Sequence, residues 1–66
     1  MFDIWPVVEE LAATAYEHGT DRISMSLIER ELNGAEQNNE RNVEEVHKAL
    51  VQLGYRVEGR LQISLL

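Results

Sequence analysis

The sequence predicts a small α+β fold, three helices closed by a C-terminal β-hairpin, with residues 1–66 forming a single domain. Three observations carry this expectation. Apolar residues recur at helical spacing in three separate segments. Glycine follows each segment, at Gly19, Gly34 and Gly54, where a helix commonly stops. Beyond Gly54 the period changes to two, the signature of strands.

The first helix is expected from about residue 4 to residue 18. Asp3 is placed to cap it, and Pro6 falls in the opening turn, where a missing N–H does no harm. Glu9 and Glu10 follow near the positive end of the helix dipole. Ile4, Val7 or Val8, Leu11 and Ala15 form the apolar stripe, and His18-Gly19 closes the segment. Thr20-Asp21-Arg22 reads as a turn and Ile23 as a very short extended piece. The second helix opens at Ser26-Leu27-Ile28-Glu29, a capping-box pattern, with Ser24 as a competing cap. Leu27, Ile28 and Leu32 supply its apolar side, and Asn33-Gly34 ends it. Gly34 to Asn39 is a polar loop.

Asn39 or Asn42 caps the third helix, where Val43, Val46, Leu50 and Leu53 step by three and four until Gly54. In the tail, Tyr55 and Val57 alternate with Arg56 and Glu58, then Leu61, Ile63 and Leu65 with Gln62 and Ser64. Glu58-Gly59 lies between the two runs as a tight turn. An isolated hairpin is marginal in water, so its apolar face is expected to close over the third helix, with Ile23 pairing at its edge.

Composition bounds the function. Apolar residues make up 44% of the chain and charged residues 27%, values of an ordinary folded domain. A chain this short buries only about 60% of its unfolded surface, so docking on a partner, or on a second copy as a homodimer, would add stability. Twelve acids against six Lys and Arg give a formal net charge of −6. Phosphate repels such a surface unless the cations gather on one face, so the charge favours a protein partner with a basic face over nucleic acid. The absence of cysteine rules out disulfides and thiolate metal sites and fits a cytoplasmic protein. No segment approaches the roughly 20 apolar residues of a membrane span, and the acidic start is unlike a signal peptide.

No reactive constellation is apparent, and the chain is read as non-catalytic, with no cofactor and no metal. His18 and His47 fall on different helices without a second ligand at metal spacing. His18 is explained by its place at a helix C-terminus. Ser24, Ser26 and Ser64 lack a nucleophile motif, and the first two serve better as caps. Glu9-Glu10 and Glu44-Glu45 are sequence neighbours that diverge around a helix, so spacing alone makes no acid–base pair.

The span from about Leu11 to Glu58 resembles a winged-helix domain. The carrying pattern is His18-Gly19, Ile23, Ile28-Glu29-Arg30-Glu31-Leu32, then Val43, Val46, Leu50 and Leu53-Gly54-Tyr55-Arg56-Val57. Within that superfamily it is similar to the acidic N-terminal region of primary bacterial sigma factors, which implies a mimic of DNA occupying a basic channel. It departs from them in that these 66 residues include none of the sigma domains that follow this region there. It also resembles winged modules of mobile-element replication and regulatory proteins. The pattern is one of core and turns, and it specifies a fold more than a function.

Two functional readings follow. In the first, the chain is a regulatory or adaptor domain that binds a protein, in keeping with a component of a nucleic-acid-handling machine. Phe2 and Trp5 would supply an apolar anchor, and Glu44 and Glu45 the acidic contact. In the second, it is a small DNA-binding transcriptional regulator, dimeric, using Arg41 and Lys48 on the third helix with Arg56 and Arg60 on the wing.

Overall fold

The structure is a computed structural model that describes residues 2–59. Its elements run α1 (Trp5–Glu17), β1 (Arg22–Ser24), α2 (Met25–Gly34), α3 (Glu40–Gln52) and β2 (Arg56–Glu58). Three helices with a short pair of strands make an α+β fold, as the change of period predicts. The expected outer hairpin strand, Leu61 to Leu65, lies outside the described residues, as does Arg60.

The helix starts depart from the sequence reading in detail. Asp3 accepts the Trp5 N–H at 3.0 Å, but the N-cap itself is Ile4, which has helical dihedrals and makes no side-chain cap bond. Asp3 therefore closes a turn just ahead of α1 instead of capping it. Glu9 and Glu10 consequently fall in the second turn, and the first turn holds no acid. The cap of α2 is Ser24, not Ser26: its Oγ accepts the Ser26 N–H at 3.1 Å. The reason lies in the core, because starting one residue after Ser24 puts Met25 on the buried face. Asn39 caps α3 by accepting the Asn42 N–H at 2.9 Å. Asn42 turns inward instead, 7% exposed, and donates its Nδ2–H to the Gln37 carbonyl at 2.8 Å. This bond ties the α2–α3 loop to the first turn of α3 and satisfies the amide donor that the loop buries.

All three helices end in the same hydrogen-bonded arrangement, a pair of nested bonds closing the last turn around a left-handed residue. In α1, Gly19 N–H donates to Tyr16 O and Thr20 N–H to Ala15 O. In α3, Gly54 N–H donates to Val51 O and Tyr55 N–H to Leu50 O. Gly19 and Gly54 take φ of 68° and 99°, which glycine adopts without a side-chain penalty. In α2 the left-handed position is Glu36, at φ 59°, with Glu36 N–H on Asn33 O and Gln37 N–H on Leu32 O. Gly34, expected to stop the helix, is its last residue, with open space where a Cβ would go.

Both substitutions that undo this mismatch are expected to stabilise. Gly34→Ala should gain about 0.5–1 kcal/mol through reduced backbone freedom of the unfolded chain. Glu36→Gly should gain a similar amount, about 0.5–1 kcal/mol net, by relieving left-handed strain and removing an acid from a helix C-terminus. A higher urea midpoint with unchanged slope is the expected readout, and a lower midpoint for Glu36→Gly would contradict the strain.

β1 follows the closing turn of α1 and β2 that of α3. They pair in parallel, Arg22 opposite Arg56, Ile23 opposite Val57 and Ser24 opposite Glu58, with α2 and α3 as the crossover. The core gathers beneath them. Val8 and Leu11 of α1, Ile23 of β1, Ile28 and Leu32 of α2, and Val46 and Leu50 of α3 are all buried. Of the other stripe residues expected there, Ile4 and Leu27 are half-buried, and Leu53, at the C-cap past the last helical turn, is 56% exposed. Ala49 takes its place on the buried stripe of α3.

Candidate functional site

Apart from Glu29, Arg30, Glu31 and Glu36 on α2 and just after it, three groups of charges stand out. The first straddles the strand pair. Arg22 faces Glu58 across the sheet with Nε at 3.7 Å from the carboxylate, and Arg56 reaches Asp21 at 3.7 Å. Register produces these contacts: Arg22 and Arg56 are opposite one another, so Arg22 meets Glu58 two positions along β2 and Arg56 meets Asp21 just ahead of β1. The Arg56 N–H also donates to the Asp21 carbonyl at 2.7 Å, so backbone and side chain of Arg56 are held by the same residue.

The second group is the outer face of α3. Glu40, Arg41, Glu44, Glu45 and Lys48 are exposed there, and His47 is half-buried between them. Arg41 pairs with Glu45 one turn on, at 3.6 Å. Arg41 and Lys48 share the face at a spacing of two turns, with Glu44 and Glu45 in the turn between them. Shallow depressions open to solvent run along it, lined by Glu44 and His47 with Arg41 on one side and with Lys48 and Val51 on the other.

The third group is α1, whose outer face carries Glu9, Glu10 and Glu17, all exposed. None of the three makes an ion pair among the described residues. His18 belongs to this end of the molecule. Its Nδ1 lies 2.8 Å from the Thr14 carbonyl, and since a carbonyl only accepts, Nδ1 carries the proton. This is the helix-end role the sequence suggested for it.

Of the residues proposed as a protein contact, Phe2 and Glu45 share one depression, and Glu44 lines the neighbouring one. Phe2 is half-buried against the core and lines a small depression with Glu45, Arg41 and Asn42. Trp5 stands 49% exposed at the first turn of α1, and Glu44 belongs to the outer side of α3. The residues proposed for nucleic acid are divided: Arg41 and Arg56 are each paired with a carboxylate, and Lys48 stands on α3 behind Glu44. Sequence reading passed over Tyr16, at 83% exposure the most exposed large apolar residue of the described chain. Its spacing from Trp5 on α1, eleven residues or three turns, was the available signal.

Among the described residues no group of three His, Cys, Asp or Glu side chains could hold a metal ion. No helix among them is long and apolar enough to cross a membrane. Comparison with family models, with curated proteins and with solved structures returns no match to this chain.

Proposed function

We propose that this chain is a non-catalytic regulatory or adaptor domain of winged-helix type that binds a basic protein partner through its acidic surface. One observation carries the reading: three of the six cations stand against carboxylates, while most carboxylates of the described residues have no such partner. Arg22, Arg41 and Arg56 face Glu58, Glu45 and Asp21, whereas Glu9, Glu10, Glu17, Glu40 and Glu44 have no such partner among the described residues. Exposed pairs of this kind contribute little stability, about 0–1 kcal/mol each. Their consequence is in the field outside the molecule, where they cancel the positive charge that would otherwise draw phosphate. The likeness to the acidic region of sigma factors supports the same reading, with a DNA-binding groove of another protein as the surface engaged.

The DNA-regulator reading asks more of the same surface. Its recognition helix would present Glu40, Glu44 and Glu45 beside Arg41 and Lys48, and each carboxylate near phosphate is unfavourable. Two measurements separate them. Titration of labelled duplex DNA with the chain at low salt is expected to show no binding. Capture on the immobilised chain from nuclease-treated lysate is expected to retain protein that is released as salt is raised through about one Debye length of 3 Å, near 1 M. Retention of duplex DNA at low salt, weakened by Arg56→Ala, would overturn the proposal in favour of the regulator.

A further inference from the structure

The outward face of α1 has both the charge and the apolar relief of a docking surface. Trp5, Glu9, Ala12 and Tyr16 fall within about 60° of one another around the helix and span about 16 Å along it. Trp5 is 49% and Tyr16 83% exposed, although both are large rings that water solvates poorly. Ala12 lies between them, so the stripe is low in the middle and raised at both ends. Glu10 and Glu17 run along its outer flank, two turns apart, and Glu9 sits within it. No Lys or Arg occurs before Arg22, while Asp3, Glu9, Glu10, Glu17 and Asp21 all do. Asp21 is the one of these that an arginine answers within the described residues.

We propose that this face receives a basic amphipathic helix of a partner protein, its apolar side on Trp5, Ala12 and Tyr16 and its arginines or lysines on Glu9, Glu10 and Glu17. The inference rests on the reading of a basic protein partner and locates it on α1, away from α3. The rings serve twice, covering apolar side chains and offering their faces to cations at the edge of the contact. A second copy of this chain is a poorer occupant. An antiparallel twofold pairing would set Trp5 on the other copy's Tyr16, but it would also bring together two molecules of charge −6 with Glu9 near its own counterpart.

Trp5 is the sole tryptophan, so its emission reports on this face directly. The full chain is titrated with a synthetic amphipathic helix of leucine and arginine, and with a peptide of the same composition in scrambled order. The amphipathic peptide is expected to shift the emission to the blue and to bind at least about tenfold more tightly than the scrambled one. Tyr16→Ala, at an exposed position that the fold does not need, should weaken binding about tenfold, and Glu10→Gln with Glu17→Gln should flatten its salt dependence. Glu44→Gln with Glu45→Gln should change neither. Equal binding of the two peptides, or a dimer in sedimentation that Tyr16→Ala dissolves, would overturn the inference. Binding lost with the Glu44 and Glu45 changes but kept in Tyr16→Ala would overturn it too, while leaving the basic-partner reading intact. Failure of that reading shows separately, as retention of duplex DNA.

Discussion

Replacing Leu50 by alanine is expected to destabilise the domain by about 3 kcal/mol, within the 2–5 kcal/mol typical of a buried leucine. Leu50 is fully buried on α3, in a cluster that joins all three helices with β1. Its carbonyl also accepts the Tyr55 N–H that launches β2, so collapse of the surroundings into the void is resisted by a fixed backbone. The total stability expected for a chain of this length is about 3–10 kcal/mol. The substitution therefore removes roughly three tenths or more of it and should leave a measurable unfolded population. Urea denaturation followed by circular dichroism checks this, with Leu53→Ala, at an exposed site, as the comparison. A loss under about 1 kcal/mol for Leu50→Ala, or equal losses at the two positions, would contradict the described core.

Gly54→Val should cost about 2–3 kcal/mol for a different reason. No neighbouring atom lies within 4 Å of the added Cβ, so crowding is not the cause. The backbone is: at φ 99° Gly54 sits beyond the ordinary left-handed well, where a β-branched residue is strained by about 1–3 kcal/mol. Gly19 supplies the control. Its φ of 68° is within reach of asparagine, so Gly19→Asn should lose less than about 1 kcal/mol. If both variants melt alike, the distinction between the two turns is wrong.

The parts of the molecule set by local rules were legible in the sequence. The helical period and the glycines at positions 19 and 54 placed both ends of α1 and the end of α3 to within a residue, while the start of α3 stayed open between Asn39 and Asn42. Ile23 was recognised as a strand residue, and it pairs with Val57. What failed was decided by tertiary packing. Ser26 followed by Glu29 fits a capping box, but burying Met25 moves the cap back to Ser24. α2 ends at Gly34 as expected, but the left-handed residue that closes its last turn is Glu36, set by the hydrogen bond from Gln37 to Leu32, and no glycine marked it. Leu53 continued the stripe by spacing and lost its place when the helix ended beneath it. The site was less legible than the fold. Charge sign and ratio could be counted, but the cancellation of Arg22, Arg41 and Arg56 depends on register and helix spacing. Tyr16 shares a helix face with Trp5 by spacing, but its exposure depends on what packs against that face.

The shared direction of β1 and β2 also decides how the domain answers to tension. A pull on residues 2 and 59 draws Arg22 and Glu58 apart along the strand axis, toward opposite ends of the pair. The inter-strand bonds are then loaded side by side and must slip together, whereas an antiparallel hairpin pulled at its free ends peels one bond at a time. A chain built this way should hold until the strand pair slides as a unit, and then release α2 and α3 together.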